Sequence, residues 1–383
     1  MKNVYLDNGA TSFPKAPEVP EAMMNYIKNV GCNVNRGVYA SSLDAENIVF
    51  ETRELLCALF NFKKPESVIF TKNITESLNT LIKGLLKKGD HVIVSSMEHN
   101  AVMRPLSSLS KRGVEISKVQ CDILGRLNPK DILEHIKPNT KAIIMTNASN
   151  VCGTILPLEE VGKICKENNL IFIVDSAQTA GFLDIDFNKI NVDALAFAGH
   201  KSLLGPQGIG GFIIKDSLIP KVDSFIEGGT GSLSEQETQP EYMPDKYESG
   251  TLNIPGIYGL NASLKYLNKI SLNTIREKEL YLTNMFIEKI LNLKDVKLIG
   301  LNTIENRTPV VSLDFTKLDN GEVSSILANE YNIMTRCGLH CAPSAHKTLN
   351  TFPRGTVRFS FGHFNTVEDI DYTADCLNKI IKL

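Results

Sequence analysis

Residues 170–201 read LIFIVDSAQTAGFLDIDFNKINVDALAFAGHK. Two apolar runs, Leu170–Asp175 and Ala194–Ala198, frame this stretch. The first ends in a carboxylate, Asp175, and the second is followed at once by His200 and Lys201. Neither run alternates apolar with polar residues. Near-continuous apolarity over a few residues is the pattern of parallel strands covered on both faces. The carboxyl ends of such strands are where open α/β sheets place ligands. An acid and a lysine past consecutive strand ends therefore point into one crevice.

The same pattern extends outward. Ser67–Thr71 (SVIFT), His91–Ser95 (HVIVS) and Ala142–Thr146 (AIIMT) read as further buried strands. Between the first two, Leu78, Leu81, Ile82 and Leu85 fall at i, i+3, i+4 and i+7, so the spacing predicts a helix over 75–84. Asn73 and Glu76 make a capping-box variant at its start. Strands alternating with helices imply an α/β domain with a mixed, mostly parallel sheet. The pattern changes after about residue 215. Residues 226–256 are rich in Gly, Pro, Glu and Thr and read as a long loop, which in a compact fold is usually functional or interfacial. Residues 257–292 read as long helix broken near Ser271. Strand-like runs at 309–315 and 356–361, with helical segments at 321–331 and 366–382, predict a smaller C-terminal α+β domain.

Composition excludes several classes. The 383 residues are 43% hydrophobic and 22% charged, as in a globular protein. A formal net charge of −2 argues against a protein that holds nucleic acid or anionic membrane by bulk electrostatics. No apolar stretch approaches the roughly 20 residues that span a bilayer, and the first residues lack the basic start and apolar run of a signal peptide. The eight cysteines show no C-x-x-C spacing and are not needed as staples in a chain of this size. The expected location is the cytoplasm, and the expected role of most cysteines is packing. A metal reading of Cys337, Cys341 and His346 lacks the second ligand pair of a zinc site, so no metal is expected.

The chemistry centres on Lys201. A lysine past a strand end is ordinarily a solvated surface residue. Here the glycines of Gly205-Pro-Gln-Gly208-Ile-Gly210-Gly211 let backbone approach a ligand closely, and a lysine in a dry setting loses its proton readily and forms Schiff bases. Asp175, read alone, is a turn or cap residue, but a carboxylate there suits a protonated pyridine nitrogen, the partner that pyridoxal phosphate requires. The helix start at Asn73-Ile74-Thr75 offers N–H groups and a hydroxyl to a phosphate, though simple capping accounts for Asn73 and Glu76 equally well. His99 and Asn150 each lie just beyond a strand end.

The segments YLDNGATS (5–12), ITESLN (74–79), MEHNA (97–101), SNVCG (149–153), VDSAQ (174–178), AGHK (198–201), ESGTLN (248–253), RCGLHCAP (336–343) and VRFSFGHFNT (357–366) resemble, in order and over nearly the whole chain, the class V aminotransferase-fold enzymes. More narrowly they are similar to the SufS-like (group II) cysteine desulfurases and selenocysteine lyases. The resemblance implies the PLP-dependent transferase fold type I, with a large PLP-binding domain over 14–256. The small domain would combine 1–13 with 257–383. It implies pyridoxal 5′-phosphate carried on Lys201, with Asp175 facing the ring nitrogen and Gln178 the phenolic oxygen. His99 would stack on the ring and shuttle protons, with Asn150 beside it. The backbone at Ile74, the Thr75 hydroxyl and His200 would hold the phosphate. Thr251 would reach the phosphate in a neighbouring subunit, making a homodimer. Arg358 would clamp the substrate carboxylate, while Asn8, Ala10 and Arg36 would line the substrate entrance. Cys341 would be the nucleophile that takes sulfur from L-cysteine as a persulfide, releasing L-alanine, with His340 and Arg336 supplying positive character to the thiol.

Three positions depart from the family pattern: Ala198 and Ile74 lack hydroxyls common there, and Leu339 stands in place of a histidine. The compact nucleophile segment implies a dedicated sulfur-acceptor protein, feeding iron–sulfur assembly, thiolation or selenium metabolism. The alternatives are a selenocysteine lyase, an aminotransferase, epimerase or C–S lyase on the same fold, and a catalytically silent binding protein. Retention of Lys201 argues against the last.

Overall fold

A computed structural model describes residues 2–34, 37 and 39–382. The apolar runs form a seven-stranded sheet in the order Val68–Thr71, Gly210–Ile214, Ala194–Ala198, Ile171–Asp175, Thr140–Thr146, His91–Ser95, Glu115–Val119. All neighbours are parallel except Gly210–Ile214, which runs antiparallel to both strands beside it. The apolar-run pattern does not mark that strand, which begins with two glycines. Its glycines are what let it pack: a Cβ on Gly211 would lie 2.3 Å from the Ile69 carbonyl oxygen and 2.5 Å from the Phe197 ring. The edge strand Glu115–Val119 also went unread, because its exposed face makes it mostly polar.

Separate apolar clusters fill the two faces of the sheet. One gathers Ile93, Ile143, Phe172 and Val174 under the helices Ala40–Leu59 and Ile254–Ile270; the other gathers Val92, Ile144, Ile173 and Phe212 against Ile74–Leu85 and Asn100–Ser110. The long loop after Val222 is tied to the sheet by a buried ion pair. Arg53 Nη2 donates to Glu248 Oε2 at 2.7 Å, and the Phe70 N–H donates to Glu248 Oε1 at 2.7 Å.

The smaller lobe is an antiparallel sheet, Arg336–Gly338, Thr356–Ser360, Val310–Phe315, Val296–Ile299, backed by helices Leu272–Ile290, Asn320–Tyr331 and Val367–Ile380. Its core takes Val4 and Leu6 from the chain start, where Val4–Tyr5 pairs in parallel with Ile333–Met334. The helix break expected near Ser271 falls at that residue, whose φ of 74° ends one helix and whose hydroxyl caps the next. Ile254–Ile270 packs with the large sheet, and the next helix passes from that cluster at Ile275 to the small-lobe core at Leu282, Phe286 and Ile287. No helix among the described residues is long and apolar enough to cross a membrane.

Candidate active site

Four parallel strand ends converge beside the small lobe. Asp175 closes its strand and is 2% exposed. Burial raises its pKa, against the Ala177 N–H that donates to Oδ1 at 2.9 Å and the nearby charge of Lys201. Lys201 keeps partial exposure in the loop after Ala194–Ala198. Exclusion of water by the atoms packed around it, then the charges of Arg358 and Arg336, bring its pKa down to about 8, while Asp175 pulls the other way. A lysine so placed sheds its proton far more readily than a solvated one.

His99 caps the helix Asn100–Ser110: its Nδ1 accepts from the Ala101 N–H at 3.0 Å. That bond puts the proton of the neutral ring on Nε2. Burial, with Lys201, Arg336 and Arg358 nearby, lowers its pKa to about 4, so the imidazole is uncharged at neutral pH. Just before it, Glu98 is fully buried and accepts both the Ser95 hydroxyl and the Thr146 N–H, joining two strand ends. Glu98 lies inside MEHNA, but only the fold reveals its partner at residue 146.

Arg358 is 1% exposed, on the strand Thr356–Ser360. Its Nη2 donates to Asp7 Oδ1 at 2.8 Å and its Nη1 to the Asn150 carbonyl at 3.1 Å; Nε is buried without a protein partner. Arg336 lies directly opposite on the neighbouring strand. Two like charges in register repel, and Asp7 offsets only one of them. The pair is thereby an anion-attracting surface beside Lys201. Asp7, within YLDNGATS, is the partner that sequence reasoning missed.

Cys341 is exposed and sits on left-handed backbone, φ 59°, directly after His340 at φ 47°. Non-glycine residues hold that conformation only where surroundings impose it. Here the large domain does so: the Asn150 side chain donates to the His340 carbonyl at 2.7 Å, and the Asn100 N–H donates to the Cys341 carbonyl at 2.8 Å. Arg336 Nη2 lies 3.8 Å from Cys341 Sγ. Arg336 thus brings a positive group to the thiol. The expectation for His340 is overturned: burial, together with Arg358, His346 and Arg336, lowers its pKa to about 2, and its Nε2 is engaged with Thr356 Oγ1 at 3.0 Å. It is a neutral packing histidine. Cys337, four residues earlier, turns into the small-lobe core, where burial raises its pKa.

The other expected residues make these contacts. Asn8 Nδ2 donates to the Ser360 carbonyl at 3.0 Å and to Asn365 Oδ1 at 3.2 Å, so its side chain ties the N-terminal segment to the small lobe. The Ala10 N–H closes a turn onto the Asp7 carbonyl at 3.0 Å. The Gln178 amide donates to the Gly9 carbonyl at 3.0 Å. Thr75 and Thr251 are exposed, and the Ile74 side chain is buried in the core. Arg36 lies outside the described residues. Among those described, no group of three or more His, Cys, Asp or Glu is placed to hold a metal.

The residues fit a phosphorylated pyridine cofactor. His200 Nδ1 is buried with no protein partner, and its ring is held neutral, with a pKa lowered to about 4 by burial and then by Lys201 and Lys15. A Cβ on Gly210 would press within 3.0 Å of the Ile74 nitrogen, so glycine keeps this helix start open. Buried Asp175 stands one strand over from Lys201.

The family model for aminotransferase class-V matches residues 4–373. The chain belongs to the class-V aminotransferase family. Members of this family use pyridoxal phosphate. This class-V chain is 33% identical over 382 residues to a probable cysteine desulfurase of Methanothermobacter thermautotrophicus, covering 99% of this chain and 94% of the relative. It is 34% identical over 389 residues to one of Pyrococcus abyssi, again covering 99% and 94%. Its fold matches the apo structure of cysteine desulfurase from Thermococcus onnurineus with a TM-score of 0.93, at 33% identity over 99% of this chain and 95% of that one. The cysteine desulfurase CsdA of Escherichia coli matches with a TM-score of 0.88 at 26% identity, over 99% and 95%.

Proposed function

We propose that this class-V enzyme is a pyridoxal-phosphate-dependent cysteine desulfurase that converts L-cysteine to L-alanine and keeps the sulfur as a persulfide on Cys341. The observation that carries the reading is the exposed thiol, hung by its own carbonyl from Asn100, the residue after His99. It brings a nucleophile to the strand ends where Lys201 and Asp175 lie.

Lys201 would carry the cofactor, Asp175 would pair with its ring nitrogen, and Gln178 and Asn150 would border the ring. His200, Thr75 and the Ile74 backbone would hold the phosphate, and Thr251 would reach the corresponding group of a second subunit in a homodimer. When bound, the cofactor supplies an electron sink for the substrate α-carbon. Arg358, with Arg336 beside it, attracts and orients the substrate carboxylate. Lys201, with a pKa near 8, takes the α-proton. Neutral His99 carries its proton on Nε2 and would be the group that passes a proton. Cys341 as thiolate, steadied by Arg336, attacks the substrate sulfur; an S–S bond forms, the substrate C–S bond breaks, and a proton completes alanine. Delivery of the persulfide to an acceptor protein in the cytoplasm completes the proposal.

The test is the holoenzyme incubated with L-cysteine, with alanine quantified and the protein mass measured. Added sulfur on Cys341 is expected, and Cys341→Ser should lower alanine formation at least about a thousandfold. Unchanged alanine release in that variant would sink the persulfide mechanism. Running L-selenocysteine alongside, and comparing kcat/KM, decides between desulfurase and selenocysteine lyase.

A further inference from the structure

Glu279, on the helix Leu272–Ile290, has no part in the chemistry above. It is 3% exposed. The His363 backbone N–H bonds its carboxylate, yet Oε2 is buried with no protein hydrogen-bond partner. An unpaired buried carboxylate is costly unless it is protonated or finds a partner. Glu279 also lines a cavity of about 20 Å³ shared with Lys201, Gln178, Ser202 and Thr308. A cavity of that size, with the polar groups of Gln178, Ser202 and Thr308 on its wall, has room for one water. It joins a small-lobe acid to the lysine of the large domain.

We propose that one water in this cavity links Glu279 to Lys201, and that protonated Glu279 is the lysine's proton store. The proposal rests on the reading of Lys201 as the active base. The transfer balances simply. The Glu279 O–H gives its proton to the water as the water gives one to the Lys201 nitrogen. One O–H bond breaks, one N–H bond forms, and the water is unchanged; the reverse step restores both groups. Glu279 would be a positioning residue that acts through Lys201.

The surroundings favour such an exchange. Burial raises the Glu279 pKa to about 8 and lowers that of Lys201 to about 8, so the two groups compete for a proton on similar terms. Glu279 is faced by Lys278 on its own helix, which favours the charged form only weakly, and by the neutral His363 ring beside the backbone bond. Lys201 is faced by Asp175, Asp7, Arg358 and Arg336.

Infrared difference spectra of the holoenzyme, wild type minus E279Q, test this directly. A protonated-carboxyl band is expected at pH 7, bleaching with a midpoint near the Glu279 value of about 8. The subtraction is needed because Glu98 and Asp175 are raised as well. A crystal structure of the wild type should show one water within hydrogen-bond distance of Oε2. In E279Q, kcat should fall about tenfold, less than for a direct base, with KM unchanged and one inflection lost from the kcat–pH profile. A spectrum with no Glu279 band, or an Oε2 with no water in the crystal, overturns the proposal. If E279Q does not fold, the crystal structure and the E279D spectrum decide it. The spectra need no turnover, so their failure leaves the desulfurase reading standing.

Discussion

The two walls of the site are built on opposite plans. The large-domain wall puts Asp175 at the end, and Lys201 just past the end, of adjacent and almost wholly buried strands, and their positions follow from the ladder itself. The small-lobe wall presents Cys341 on two successive left-handed residues, exposed, with its carbonyl and that of His340 held by bonds from the other domain. A cofactor must stay where it is bound, so its wall is a sheet. A sulfur carrier must pick up its load and surrender it, so its wall is a short loop on a few ties. The difference teaches that the thiol's placement is a property of the domain contact and not of the segment that carries it.

Cutting a tie should therefore hurt the thiol more than the cofactor. Asn150→Ala removes the amide that donates to the His340 carbonyl and leaves that carbonyl buried and unpaired, a cost of about 1–3 kcal/mol. The expected outcome is a roughly tenfold slower persulfide formation, with the cofactor's absorbance band retained and faster alkylation of Cys341. Loss of the band in step with activity would mean that Asn150 serves the cofactor wall instead.

Acid should act on both walls through their buried histidines, because His99 and His200 beside the lysine, lowered to about 4, titrate over the same range as the pair beside the thiol. Burial holds His340 at about 2 and His346 at about 4, both below an unfolded value near 6.5. The sign follows: the unfolded chain binds these protons and the folded one does not, so stability is full above about pH 6.5 and falls as pH drops. Each histidine adds up to about 1.4 kcal/mol per pH unit to that slope until its folded value is reached. The His340 and His346 rings lie 5.5 Å apart, so they share the effect. Melting curves from pH 7 to 5 should show the decline, and His346→Gln should flatten it. An unchanged slope in that variant excludes the pair as the cause.

What could be read from the sequence divides along the same line. The parallel strands announce themselves in continuous apolar runs, and Lys201 and Asp175 stand out because a strand end is a local feature. Cys341 was found through the spelling of its motif, but no pattern near it gives its backbone or its supports. The Arg358–Asp7 pair spans nearly the whole chain, and Glu98 meets Thr146 only after the sheet forms. His340 looked like a source of charge because its sequence neighbours are polar; the fold surrounds it with buried contacts instead. Charge state depends on packing, which spacing in one sequence does not report.

The two cysteines of RCGLHCAP put the comparison at its finest scale. Along the strand Arg336–Gly338, side chains alternate, so Arg336 faces Arg358 and the site while Cys337 pairs with Val357 toward the small-lobe core. Beyond Gly338 the chain leaves the strand, and Cys341 emerges on the site side next to Arg336. Four residues thus separate a thiol raised in pKa by burial from one beside a guanidinium. Cys337→Ala should cost about 1 kcal/mol or less, since it trims one half-buried atom. Persulfide yield and alanine release should stay within about twofold of wild type, because a raised, inward-facing thiol is a poor nucleophile. The check is sulfur transfer to a small thiol acceptor, with the mass of each variant recorded after cysteine is added. If Cys337→Ala retains the persulfide but no longer transfers it, the inner cysteine is a relay, and the small-lobe wall carries two working thiols where its geometry provides for one.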